Sequence, residues 1–226
     1  MNKGKFIVIE GTDNTGKSTI GKMLQEWLAT RDIEAILTKH PGSTPIGREL
    51  RKISKETTHT VPPITEALIN AADNSAFIEL LLNPTLQEGK WVIGDRNNFI
   101  SSLAYQIQSG ASPEDLAAVH AATHKNPAKI DALFILRASK EKRLYRKLLK
   151  GEQTTRDRYE DVGSYSDGVA RIYERLIEEY SDILSKFVKP HSDINLPRVW
   201  YIDANQDVND VFRSIADVIE ALDLDN

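Results

Sequence analysis

The sequence predicts an α/β protein with a mostly parallel, five-stranded sheet and helices on both of its faces. Two observations carry this expectation. Five short apolar runs recur along the 226 residues, and stretches of helical spacing fill the gaps between them. The first run also opens directly onto a glycine-rich turn and then an amphipathic pattern, the order of a strand, turn and helix in a parallel sheet. Residues 6–9 are apolar and mostly β-branched, as in a strand buried on both faces. Residues 18–29 follow with Ile20, Met23, Leu24, Trp27 and Leu28 at helical spacing. Residues 34–38 read as a second strand, ended by Pro41 and Gly42. Pro62 and Pro63 open a long helical stretch that Gly89 stops. Residues 91–93, 132–136 and 199–202 supply the remaining strands, and residues 208–222 close the chain as a helix. Residues 151–168 are polar, rich in charge and nearly free of aliphatic side chains, and are read as a mobile loop.

Composition narrows the class. Hydrophobic residues make up 40% and charged residues 27%, ordinary for a water-soluble globule of one domain spanning residues 1–226. The formal net charge of −4 supplies no field for polyanions, which argues against a nucleic-acid partner. No cysteine is present, so disulfides and thiolate metal sites are excluded. The first residues lack the apolar stretch of a signal peptide, and no segment approaches the roughly 20 apolar residues that span a bilayer. The expectation is a cytoplasmic protein with no membrane partner.

Residues 11–18, from Gly11 to Ser18, fit the pattern GxxxxGK[ST]. Glycines let the backbone curl so that successive N–H groups point at phosphate oxygens, and the helix that follows adds its positive end. Gly11, Asn14, Thr15, Gly16, Lys17, Ser18 and Thr19 are therefore the candidates for holding a nucleoside triphosphate. Lys17 reaches the β- and γ-phosphates, and the Ser18 hydroxyl is placed to ligate Mg²⁺. The fold expectation sharpens to the three-layer P-loop NTPase arrangement. A second pair, Asp95-Arg96, follows a buried apolar run, at the sheet edge where α/β proteins bind ligands. Asp95 is a second candidate for the metal, and the planar fork of Arg96 suits bridging two phosphates.

With these residues in hand, the sequence resembles the thymidylate kinases over nearly its whole length. Residues 6–19 look like the family's first strand and P-loop. Residues 39–47, Lys39 to Gly47, resemble its Arg-Glu-Pro-Gly-Gly-Thr-Pro-Leu-Gly segment. Asp95-Arg96 with residues 101–106 resembles its Asp-Arg-Tyr…Ser-Ser-Leu-Ala-Tyr-Gln stretch, and residues 157–160 are similar to the motif closing its lid. The resemblance implies phosphoryl transfer from ATP to a deoxynucleoside monophosphate, dTMP first, with Mg²⁺ as cofactor, in a homodimer. It implies that Asp13 accepts a hydrogen bond from the acceptor's 3′-hydroxyl and that Arg96 binds the acceptor phosphate. Tyr105, Gln106 and Tyr159 would line the acceptor pocket, and a lid near residues 150–165 would close over it.

The lid carries the remaining catalytic charge in this reading. Some relatives place an arginine after the P-loop aspartate, where this chain has Asn14. Arg156 and Arg158 are then the catalytic candidates, with Lys147 contributing charge and Lys150 near the adenine. Lys140, Lys142 and Arg146 read as a solvated helix face. The base-reading helix departs from the family. Its usual phenylalanine and arginine are replaced by Asn70 and Asn74, four residues apart on one helix face. Lys39 stands for an arginine, and Asn97 for a tyrosine. Three alternatives stay open at this level. Phe77 or Phe99 supplies the missing stack on thymine; or the same chemistry acts on another base, a modified pyrimidine such as 5-hydroxymethyl-dUMP or a purine nucleotide; or the chain is a non-catalytic ATP sensor.

Overall fold

The computed structural model describes residues 4–55, 59–123, 128–149, 164–191 and 196–223. Five strands form one sheet: β1 (Phe6–Glu10), β2 (Ala35–Lys39), β3 (Trp91–Asp95), β4 (Ala132–Arg137) and β5 (Val199–Asp203). Their order is β2-β3-β1-β4-β5, and every pair is parallel. The chain leaves β1 toward β2 in one direction and leaves β3 toward β4 in the other. β1 and β3 are neighbours, so a crevice opens beyond their carboxyl ends, the general position for a ligand in such sheets.

Alternation along the strands divides the interior in two. Phe6 and Val8 of β1, Val92 of β3, and Leu133 and Ile135 of β4 face one core. Ile7, Ile9, Ile93, Ala132, Phe134 and Leu136 face the other. The second core is covered by α1 (Lys17–Ala29), through Ile20, Leu24 and Leu28, and by α10 (Val208–Asp223), through Val211, Ile215 and Ile219. The first lies under α3 (Pro63–Phe77), α5 (Asn98–Gln108), α6 (Pro113–Thr123), α8 (Ser164–Glu174) and α9 (Leu176–Leu184). The short α2 (Pro45–Lys55) packs on α3, and α7 (Lys140–Leu149) follows β4. Among the described residues no helix is long and apolar enough to cross a membrane.

Two expectations change. The stretch from Pro63 to Gly89 is not one uniform helix. After α3 the chain makes a π-helical turn at Ile78–Leu82 and then a short helix, α4 (Asn83–Gln87). Pro84 lacks the N–H an α-helix interior requires, and a wider turn is one way to absorb it. The loop expected to run to Gly168 also ends earlier, because α8 begins at Ser164. Its Val169 and Tyr173 are buried, and Ser166 and Asp167 receive hydrogen bonds from Arg143 of α7 at 2.6 and 3.0 Å. Gly168 lets the end of the Gln108 side chain of α5 pack against this helix, within 2.0 Å of where a Cβ would stand.

Candidate active site

The donor half is built from backbone. Residues 11–16 turn from β1 into α1, and Thr15 Oγ1 braces the turn by donating to the Thr12 carbonyl at 3.0 Å. Lys17 folds back over it, its Nζ donating to the carbonyls of Gly11 at 3.0 Å and Thr12 at 2.8 Å. The residue capping α1 is Gly16, with φ 106°, which offers no side-chain oxygen to the first amides of the helix. Those amides and the positive end of the helix are thus left for an anion. Burial, followed by the nearby charge of Arg96, pulls the Lys17 pKa down to about 8. Ser18 donates through Oγ to Asp95 Oδ2, joining α1 to the end of β3.

The centre is an arginine wrapped in acceptors. Arg96 follows β3 and sits beside β1, its amide donating to the Ile9 carbonyl at 2.9 Å and its φ at 76°. Its Nη1 reaches the Gly11 carbonyl at 2.9 Å and Glu10 Oε2 at 3.5 Å. Its Nη2 reaches Asp13 Oδ1 at 2.6 Å and the Tyr105 hydroxyl at 3.1 Å. Glu10, fully buried, is the hub behind it. Glu10 Oε1 accepts from the Asn97 amide and Ser101 Oγ, both at 2.8 Å, and Oε2 accepts from the Tyr173 hydroxyl at 2.7 Å. Burial opposes the charge on Arg96, but Tyr105, Asp13, Tyr173 and Glu10 hold its pKa well above normal. Burial likewise works against the Asp13 carboxylate; Arg96 and Lys17 outweigh it and hold Asp13 below the usual carboxylate range.

Beside Arg96 lies a cleft of about 390 Å³. Its walls are Pro41 from the β2–α2 loop, Ser54 and Lys55 of α2, Glu66 and Asn70 of α3, and Asn98, Ser101, Tyr105 and Gln106 of α5. A buried polar cluster supports one wall. Asp73 Oδ2 accepts from Asn98 Nδ2 at 2.7 Å and from the Gly42 amide at 3.2 Å. His40 Nδ1 lies 3.3 Å from the same Asn98 nitrogen, and its Nε2 lies 3.3 Å from Thr38 Oγ1. Gly47 closes on this cluster so tightly that a Cβ there would stand 2.0 Å from Asp73 Oδ1. Farther in, Asn70 Nδ2 is 3.5 Å from Ser102 Oγ, which pairs with His120 Nε2 at 3.2 Å. Burial alone drives the His120 pKa down to about 3.

The fold therefore brings Asp13, Lys17, Ser18, Asp95, Arg96 and Tyr105 into one hydrogen-bonded constellation, with Asn70 and Gln106 in the cleft beside it. Asn74 is placed elsewhere. It lines a separate cavity behind α3, with Phe6, Phe77 and Phe99. Phe77 and Phe99 are core residues, and neither lines the cleft, so neither supplies an aromatic wall to it. Lys39 is exposed at the end of β2 and is not part of the cleft wall. Lys150, Arg156, Arg158 and Tyr159 lie outside the described residues. Arg146, expected on a solvated face, instead grips the phosphate loop. Its Nη1 donates to the Thr15 carbonyl at 2.8 Å, and its Nη2 to Ala204 at 2.9 Å. Glu10, Tyr173, His40, Asp73 and Asn98 escaped sequence reasoning too. Only Glu10 carried a signal, a carboxylate ending an apolar strand just before the glycine-rich turn.

Comparison with known proteins bears on the same residues. The family described as Thymidylate kinase matches residues 9–184. A probable thymidylate kinase of Thermococcus kodakarensis is 34% identical over 224 residues, covering 96% of this chain and 98% of the relative. The chain belongs to the thymidylate kinase family. A thymidylate kinase of Caldicellulosiruptor saccharolyticus is 30% identical, with 97% and 98% covered. A probable thymidylate kinase of Pyrococcus horikoshii is 33% identical, with 85% and 94% covered. The family match begins at residue 9, at the end of β1, and takes in the phosphate loop, the Asp95-Arg96 pair and the residues lining the cleft.

Magnesium is the metal that the family implies, and the residues present fit it. Ser18 and Asp95 put a hydroxyl and a carboxylate oxygen in contact beside the phosphate loop. Among the described residues no group of three or more His, Cys, Asp or Glu could cage a metal. A hard cation held by one carboxylate, one hydroxyl and substrate phosphates is the usual Mg²⁺ pattern.

Proposed function

We propose that the chain transfers the γ-phosphoryl group of ATP to the phosphate of dTMP, giving ADP and dTDP. The observation that carries this is Arg96, which touches the phosphate-loop carbonyl of Gly11 on one side and lines the cleft on the other. A donor nucleotide on the loop and an acceptor in the cleft would meet at its guanidinium. The relatives' being thymidylate kinases by name supports thymidylate as the acceptor.

In this reading, Lys17 exchanges the carbonyls of Gly11 and Thr12 for donor phosphate oxygens. Arg96 offers its planar fork to the acceptor phosphate and to the group in flight. An acceptor phosphate oxygen bonds to the γ-phosphorus as the bond to the ADP oxygen breaks, with no covalent enzyme intermediate. Ser18 and Asp95 would hold Mg²⁺, which when bound would supply positive charge beside the donor phosphates. Asp13, kept ionised by Arg96 and Lys17, is an acceptor for a sugar hydroxyl. The segment at 150–165 acts as the lid, with Lys147, Arg156 and Arg158 bringing positive charge and Lys150 near the adenine. We place all of this in one domain of a cytoplasmic homodimer. The exposed Ile46 and Ile53 of α2 and Leu68 of α3 support an apolar contact between copies.

The test is a coupled ADP-release assay with ATP, Mg²⁺ and a panel of nucleoside monophosphates that includes modified pyrimidines and purines. Highest kcat/KM with dTMP is expected. No turnover across the panel would remove the kinase reading.

A further inference from the structure

Two buried acceptors in the cleft wall lack partners. Asn98 and Gln106 are each only 1% exposed, and both line the cleft. Neither Asn98 Oδ1 nor Gln106 Oε1 has a hydrogen-bond partner among the described residues. Buried carbonyl oxygens are nearly always satisfied, so two unmet ones in one wall mark a place where a ligand supplies the donor.

The two differ in how firmly they are set. A glutamine amide can turn over and offer either end. Asn98 cannot do so without loss. Its Nδ2 serves the Asp73 carboxylate at 2.7 Å and faces His40 Nδ1 at 3.3 Å. Reversing the amide would point its oxygen at that carboxylate and strand both neighbours. The His40 tautomer agrees with this. Thr38 Oγ1 donates to the Ile93 carbonyl at 3.2 Å, so it accepts from His40 Nε2–H and leaves Nδ1 as a lone pair for Asn98. Neither Asp73 nor His40 lines the cleft, so the amide turns its nitrogen away from the ligand side and keeps its oxygen for it.

We propose that Asn98 is a specificity-determining residue for the acceptor base, its Oδ1 accepting a hydrogen bond from the ring N–H of the base while Asp73 and His40 hold the amide in that sense. The inference rests on dTMP as acceptor, since thymine carries one such donor, N3–H. A site that offers a fixed acceptor rejects an analogue lacking the matching donor far more strongly than an apolar wall would. Asn98 then takes over discrimination that Asn70, which lines the same cleft and faces Ser102 Oγ at 3.5 Å, does not provide alone.

The experiment compares kcat/KM for dTMP and N3-methyl-dTMP in the full chain and in Asn98→Ala. The ratio of two substrates on one sample cancels any loss of folded enzyme, so an unstable variant still reports. The wild-type chain should prefer dTMP by about a hundredfold or more, and Asn98→Ala should cut that preference at least tenfold. Asn74→Ala, which alters the separate cavity, should leave the ratio unchanged. An Asn98→Ala ratio equal to wild type, with dTMP still turned over, overturns the role of Asn98 and spares the kinase reading. If wild-type enzyme ignores dTMP, the reading of the acceptor and this inference fail together.

Discussion

The donor and acceptor halves of the site are made of different materials. On the donor side, phosphate oxygens would meet backbone amides and a helix end, with Lys17 held by two carbonyls of the same loop. On the acceptor side, the wall is side-chain amides and hydroxyls from the β2–α2 loop, α2, α3 and α5. The backbone cradle is specified by eight consecutive residues. The side-chain wall depends on where four segments pack and on a second layer, His40 and Asp73, that does not line the cleft. A contiguous site can be copied intact between proteins, while an assembled one drifts residue by residue.

Predictions follow that comparison from the largest effect down. Lys17→Met should lower kcat/KM for ATP by about a thousandfold and leave the melting temperature nearly unchanged, as steady-state kinetics and thermal denaturation would show. Comparable loss of acceptor binding in the same variant, measured by calorimetry with dTMP alone, would break the separation of the two halves. Gly47→Ala strikes the second layer on the acceptor side, where the new Cβ would collide with Asp73. It should cost about 3 kcal/mol in urea denaturation, and a neutral result would show that the cluster is loosely packed.

Two pH profiles sharpen the contrast. Lys17 has a pKa pulled down to about 8, so the free enzyme loses that charge above it. The kcat/KM for ATP should be flat below pH 8 and fall toward tenfold per unit above it. On the acceptor side burial lowers the His120 pKa to about 3 from its ordinary 6.5. The unfolded chain therefore binds its proton first as the medium acidifies. The stability that a neutral His120 confers is fully present above pH 6.5 and drains away as pH falls toward 3. His120→Leu should flatten that limb of a denaturation series. The smallest effect is the most local: Asn74→Ala should shift the KM for dTMP by no more than about twofold, because Asn74 does not line the cleft.

What the sequence makes legible divides along the same line. The five strands read correctly because each is a short apolar run, and the sheet buries both its faces. The turn from β1 into α1 is legible because glycine and lysine spacing announce its backbone geometry, with Gly16 at φ 106° capping the helix. Asn70 and Asn74 share a helix face, yet four residues of rise separate them enough that they open on different cavities. Phe77 and Phe99 look like candidate stacking rings in one dimension and are core residues in three. Arg146 sits among basic residues in an amphipathic pattern, and only the crossing of α7 over the phosphate loop turns it inward. Asn98 shows no periodicity or motif at all; its meaning comes from a carboxylate 25 residues earlier in the chain.

The left-handed backbone of Arg96 has a consequence for how the family can change. A non-glycine residue at φ 76° is held against its preference by about 1–2 kcal/mol, and the Glu10 hub and the loop carbonyl keep it there. The conformation puts the guanidinium at the junction of the two halves instead of wherever the main chain would rest most easily. Glycine would relax that position at once and abolish the phosphate contact with it. Glycine would also leave the buried Glu10 carboxylate without its guanidinium partner, a loss of about 3–5 kcal/mol that exceeds the strain relieved, so stability and turnover together hold this arginine in place.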